Sequence, residues 1–229
     1  MKLKYLSILA AALLLSVCST SQKIKDEPFT VDLNSPKIPA GTLEIQFEKL
    51  MNIGDLRQVD VTIEYYPVED AVCLQFRLDF MTYYQFWSRD GRAAYMSALE
   101  QYKEDYAART LSSKTSKKTK RQYGKIDGYV IWQAFAYSVR AKANTDIELG
   151  YYMRDVSQNR ASFFTLFQRE AVFIDEMSKK EKRETTNITM YLTRSKADDL
   201  AEFFDQDFLR SLSGSQFDDY GVTPGLDEY

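Results

Sequence analysis

The chain contains no histidine. That absence removes imidazole as a general acid or base, the Ser-His and Cys-His nucleophile pairs, and every metal site that needs an imidazole ligand. Only two cysteines occur, Cys18 and Cys73, too few for a disulfide framework or a four-cysteine zinc site. Prolines number five, and none falls between Pro67 and Pro224, so the intervening stretch reads as an unbroken folded body. Basic charge is not in excess: 30 Lys and Arg against 33 Asp and Glu give a net charge of -3, which offers nucleic acid no bulk attraction. Phosphate-cradling loops, dinucleotide fingerprints and G-x-S-x-G elbows are absent as well, and nothing in the sequence implies a cofactor.

What is present excludes global disorder. Hydrophobic residues make up 45% and aromatics 14% of 229 residues, enough for one domain with its own core. The amino terminus reads as an address. Lys2 and Lys4 precede an apolar run over residues 6–17, the length of a signal-peptide core and too short to span a bilayer as a helix.

Leu15, Ser16, Val17 and Cys18, followed by Ser19, Thr20 and Ser21, resemble a bacterial lipobox, with Val17 standing where Gly, Ala or Ser is usual. The resemblance to bacterial lipoproteins covers this leader alone, and the body resembles no characterised family. It implies that Cys18 becomes the first mature residue and carries acyl chains, anchoring the protein to a membrane of the cell envelope, in the periplasm or at the cell surface. Cleavage after Ser19 to give a soluble secreted protein is the competing reading. The chain then divides into a signal peptide over 1–17, a tether over 18–41, a single domain over 42–212 and a flexible tail over 213–229. In the tether, Phe29 to Leu33 is a candidate short edge strand.

Within the body the dominant period is two, the signature of half-buried strands. Leu43, Ile45 and Phe47 alternate with acids and amides, as do Val59, Val61, Ile63 and Tyr65. Val72, Leu74, Phe76, Leu78 and Phe80 mark one strand face opposite Cys73, Gln75, Arg77 and Asp79, and residues 67–70 connect two strands able to form a hairpin. Cys73 reads as a small packed residue. Further strands are predicted over 128–140, 146–154, 162–174 and 186–193, with a charged hairpin tip over 178–184. Helical spacing replaces this pattern twice. Tyr95, Leu99, Tyr102 and Tyr106 mark a helix over 88–110; Leu200, Phe203, Phe204, Phe208, Leu209 and Leu212 mark one over 195–212, with Ser195 as its expected N-cap. The expected fold is α+β, an antiparallel β-sheet with two helices packed on it.

Three tyrosine pairs lie in predicted strands, and adjacent strand residues point to opposite faces. Parity assigns Tyr66, Tyr83 and Tyr152 to the face away from the core, joined by Trp87 and Trp132. That makes either an aromatic platform able to stack on a glycan or a peptide, or a second layer covered by the helix from Ser88. A basic loop carries Lys114, Lys117, Lys118, Lys120 and Arg121, which would contact an anionic surface or an acidic envelope protein. Carboxylates such as Asp60 and Glu64 fall on polar rims. The leading function is therefore an exported envelope lipoprotein that binds or scaffolds. The alternatives are a soluble secreted binding protein with an aromatic ligand platform, and a hydrolase working through two carboxylates, which needs no histidine.

Overall fold

Alternate apolar residues do more here than mark single strands, because the inward sides of eight strands line one common interior. The computed structural model describes residues 28–48, 56–108, 120–134, 140–156, 159–174 and 182–219. Its strands are β1 (Ile38–Glu48), β2 (Leu56–Tyr66), β3 (Ala71–Leu78), β4 (Met81–Trp87), β5 (Lys120–Ala134), β6 (Ala141–Val156), β7 (Asn159–Gln168), β8 (Val172–Ile174), β9 (Lys182–Glu184) and β10 (Ile188–Leu192). Its helices are α1 (Arg89–Ala107), α2 (Arg194–Phe204) and α3 (Gln206–Asp219). Eight strands close in the order β1, β10, β7, β6, β5, β4, β3, β2, every neighbour antiparallel; β8 and β9 form a separate small hairpin.

The antiparallel sheet with helices packed on it thus stands. The α+β description needs qualifying, since sheet predominates, the sheet is closed, and among the described residues three helices rather than two accompany it. Closure leaves no strand edge within the barrel.

Ile45 and Phe47 of β1, Ile63 of β2, Leu74 and Phe76 of β3, Ile147 and Leu149 of β6, and Phe164 of β7 all enter the main core. Three polar side chains inside are linked in series: Trp87 Nε1 donates to Gln85 Oε1 at 3.0 Å, and Gln85 Nε2 to Gln168 Oε1 at 2.8 Å. Helices α1 and α2 start directly after β4 and β10 and cover the end of the barrel where those strands finish. Ser88 Oγ accepts from Gly91 N at 3.2 Å to cap α1, and Tyr95, Leu99 and Tyr102 carry its buried stripe into the core.

The second helical segment starts earlier than expected and breaks in the middle. Thr193, not Ser195, is its N-cap, with Oγ1 accepting from Lys196 N at 3.3 Å. Asp205 then takes an extended conformation and its Oδ1 accepts from Asp207 N and Phe208 N, capping α3 anew. The stripe survives the break, because Leu200, Phe204 and Leu209 all remain buried. Helix α3 also runs to Asp219, past the 213 boundary at which the sequence reading began a loose tail.

Other expectations are corrected by local geometry. Leu78 pairs with Met81, so Asp79 and Phe80 form a two-residue turn, with Asp79 at φ 51° and Phe80 76% exposed instead of continuing the strand face. Residues 162–174 are not one strand but β7 and β8. The strand expected over 146–154 is longer, running from Ala141 to Val156 as β6, and β5 begins at Lys120 inside the basic segment. Segment 28–37 is neither a free tether nor an edge strand. Phe29, Val31 and Leu33 lie on the outer wall of β2 to β5 and bury Tyr66, Ala71, Cys73, Phe86, Tyr129 and Ile131 beneath them. Burial of the Val31 side chain alone contributes roughly 1.5–3 kcal/mol to holding this strap down. It also explains the unbroken apolar run from Tyr129 to Trp132, which is buried on both faces.

Candidate ligand groove on the outer wall

The far side of the barrel from the strap carries a groove of about 550 Å³. Outward positions of four strands build it: Glu148, Gly150 and Tyr152 of β6, Thr165 and Phe167 of β7, Thr189 and Tyr191 of β10, and Glu48 of β1. The first residues of β5, Lys120, Arg121 and Gln122, form a further side. Register explains their approach, since Gln122 pairs with Gly150 just before an irregularity between Gln122 and Gly124. A Cβ at position 150 would sit 2.7 Å from the Arg121 carbonyl oxygen, so this close crossing requires glycine.

Charges in the groove are arranged, not scattered. Arg154 is 9% exposed; its Nη2 lies 3.3 Å from Glu48 Oε1, and its guanidinium 5.1 Å from the Tyr191 ring centroid. The Tyr191 hydroxyl donates to Glu48 Oε2 at 3.2 Å. Burial, with the Glu48 carboxylate beside it, pushes that hydroxyl up to about 12, so it stays a proton donor at neutral pH. Glu148 is held by Arg169, and Arg121 by Asp105 of α1. Lys120 is different: its ammonium lies 4.7 Å from the Tyr152 ring centroid and has no carboxylate partner among the described residues. Tyr152 in turn lies 6.1 Å from Tyr191, which meets Phe163 edge-on.

Of the residues singled out in the sequence, the structure brings Tyr152, Lys120 and Arg121 together here. Tyr66 is outward too, but on the opposite wall and buried beneath the strap. Tyr83, Trp87 and Trp132 point into the core. The tight turn at Asp79 and Phe80 is the reason for the first two: Met81 shares Leu78's face, which turns Tyr83 and Trp87 inward with it. No single aromatic platform therefore exists. Lys114, Lys117 and Lys118, like Cys18, lie outside the described residues. Glu48, Glu148, Phe167 and Tyr191 were not anticipated, although their outward parity beside inward neighbours was the available signal.

A second, larger cleft near Phe29 and Asp127 has its lysine already paired, Lys125 to Asp146 at 2.7 Å. Glu64 pairs with Lys37 at 2.8 Å, and Asp60 is exposed. No group of three or more Cys, Asp or Glu among the described residues is placed to hold a metal ion, and no described helix is long and apolar enough to cross a membrane.

Fold and groove together define a closed antiparallel barrel with a helical cap, a filled interior and a polar, aromatic groove on its outer wall. The chain belongs to the family described as "Uncharacterised Treponema protein", which matches residues 21–211. No curated protein and no solved structure matches it.

Proposed function

We propose that the protein is exported, held to a membrane of the cell envelope by acyl chains on Cys18, and acts there by binding or scaffolding through its outer groove. The observation that carries this reading is the division of labour in the barrel. Its interior is filled by side chains such as Phe47, Trp87, Tyr95 and Phe164, while the concave surface available to a ligand lies outside, lined by aromatic rings and hydrogen-bonding groups. Both groove carboxylates, Glu48 and Glu148, are engaged by arginines, which suits a shaped recognition surface better than a pair of catalytic acids. From Cys18 to Pro28 the chain reaches at most on the order of 35 Å, so the acyl anchor would keep the barrel close to the membrane.

Cell fractionation with intact-mass analysis tests the anchor. The mature wild-type protein is expected with the membranes and with acyl mass on Cys18, and Cys18→Ser in the soluble fraction, since acyl chains contribute about 0.8 kcal/mol per buried methylene. A mature chain that starts at Thr20 with no acyl mass would instead make this a soluble secreted binding protein.

A further inference from the structure

We infer that the groove takes an acidic glycan, with a sugar carboxylate on Lys120 and a sugar ring on Tyr152. This rests on the reading of the groove as a binding site and names its ligand. Every strand beneath the groove is paired on both sides, so no open edge is available there for an extended peptide to join through its backbone. Recognition must come from side chains. Those side chains alternate rings with hydrogen-bonding groups: Tyr152, Phe167 and Tyr191 beside Gln122, Thr165 and Thr189.

A sugar ring has the matching form, a flat C–H face bounded by hydroxyls, whereas an acyl chain has no use for the polar groups.

Charge selects among sugars. Arg154, Arg121 and Arg169 already hold Glu48, Asp105 and Glu148. Lys120 is left with an aromatic ring as its partner, and a carboxylate is the stronger one. Among the described residues lining the groove, Lys120 is the cation without a carboxylate partner, and it answers one carboxylate, whereas a di- or triphosphate would call for several. When a ligand carboxylate draws the ammonium off Tyr152, it uncovers the ring face on which the sugar then rests. Charge and stacking are thereby coupled at two adjacent residues.

The test is calorimetric titration of the mature protein with two probes, a tetrasaccharide of alternating glucuronic acid and N-acetylglucosamine, and the neutral N-acetylglucosamine tetrasaccharide. Thermal melts confirm that each variant is folded. Wild type is expected to bind the acidic probe about tenfold more tightly, equivalent to roughly 1.4 kcal/mol. Lys120→Gln should remove that preference, and about 1 M salt should do the same, the screening length there being ~3 Å. Tyr152→Ala should weaken both probes. Equal wild-type affinities, or a preference that survives Lys120→Gln, would overturn the assignment. Attachment of the unacylated Cys18→Ser protein to isolated envelopes separates the two levels: if neither sugar binds but attachment still depends on Tyr152, the glycan is wrong and the groove stands. Attachment indifferent to Tyr152→Ala, with no sugar bound, overturns both.

Discussion

Replacing Arg92 with alanine is expected to cost at least about 1.5–3 kcal/mol, the range for a single hydrogen bond to a charged group, because it removes four such bonds at once. Arg92 sits near the start of α1 and is 2% exposed. Its Nη1 donates to the Asp70 carbonyl at 2.7 Å and the Trp87 carbonyl at 3.2 Å; its Nη2 donates to Asp70 Oδ1 at 2.8 Å and Gln206 Oε1 at 3.0 Å. One guanidinium thus ties the β2–β3 turn, the end of β4, α1 and α3 together. Asp70 needs that partner especially, because it holds the turn at φ 46° and also accepts from Tyr65 Oη at 3.1 Å. Lysine cannot substitute, because three N–H donors on a single nitrogen cannot span four acceptors on three residues.

Acid should reveal the same contact. Burial alone would raise the Asp70 carboxyl, but the hydrogen bonds and charge of Arg92, with Tyr65 and Arg89, outweigh it and hold Asp70 below the ordinary 3.8. A depressed carboxyl contributes stability above its unfolded value and loses it as pH falls through the folded one. Denaturant midpoints should therefore fall on acidification below about pH 4, and the part due to this contact should vanish in Arg92→Ala. A midpoint unchanged by Arg92→Ala at neutral pH would sink the account.

Phe204→Ala is the second large effect, at roughly 3–5 kcal/mol for truncating a buried phenylalanine. The ring is 3% exposed, 5.0 Å from the Trp87 centroid and 4.9 Å from that of Tyr95, so it joins α2 to both the barrel wall and α1. Alanine would leave a void among rigid rings that have little freedom to collapse into it. Phe203 supplies the control. It is half-buried over Gly41, where a Cβ would come within 2.6 Å of its ring, and its truncation should shift the urea midpoint much less. Equal shifts would mean that the helix does not close the core as described. Phe204 and Arg92 both bear on Trp87, so their double variant should not be additive.

The strand faces were legible wherever one side met the core and the other met water. Leu43, Ile45 and Phe47 of β1 and Leu74, Phe76 and Leu78 of β3 mark the core side cleanly, and β2 and β3 fold as the expected hairpin through residues 67–70. Closure of the sheet was not legible, because it depends on β10 returning to β1 across most of the chain. Two further misreadings share one cause, competition between local chemistry and tertiary context. Lys120, Arg121 and Gln122 look like a solvated loop, yet pair with Tyr152, Tyr151 and Gly150 as strand. Asp205 sits within an apolar helical stripe, yet its carboxylate takes two backbone N–H groups and stops the helix. For the groove, Tyr152 was visible from parity alone. Its neighbours Glu48 and Tyr191 meet it only through barrel closure, which no local window contains.

The strap over the outer wall has a redox consequence. Cys73 is a free thiol with no exposure, and burial pushes it well above its usual range, so little thiolate forms and no oxidant reaches the sulfur. In an oxidising compartment, the destination proposed above, an exposed unpaired cysteine would be open to cross-linking with other copies of the chain and with other thiols. Phe29, Val31 and Leu33 close that route by packing over the sulfur's wall, where no second cysteine is needed to quench it. The same ten residues that join the barrel to whatever precedes it thus serve as its antioxidant shield, and the rate at which a small alkylating reagent modifies Cys73 becomes a clock for how often the shield lifts.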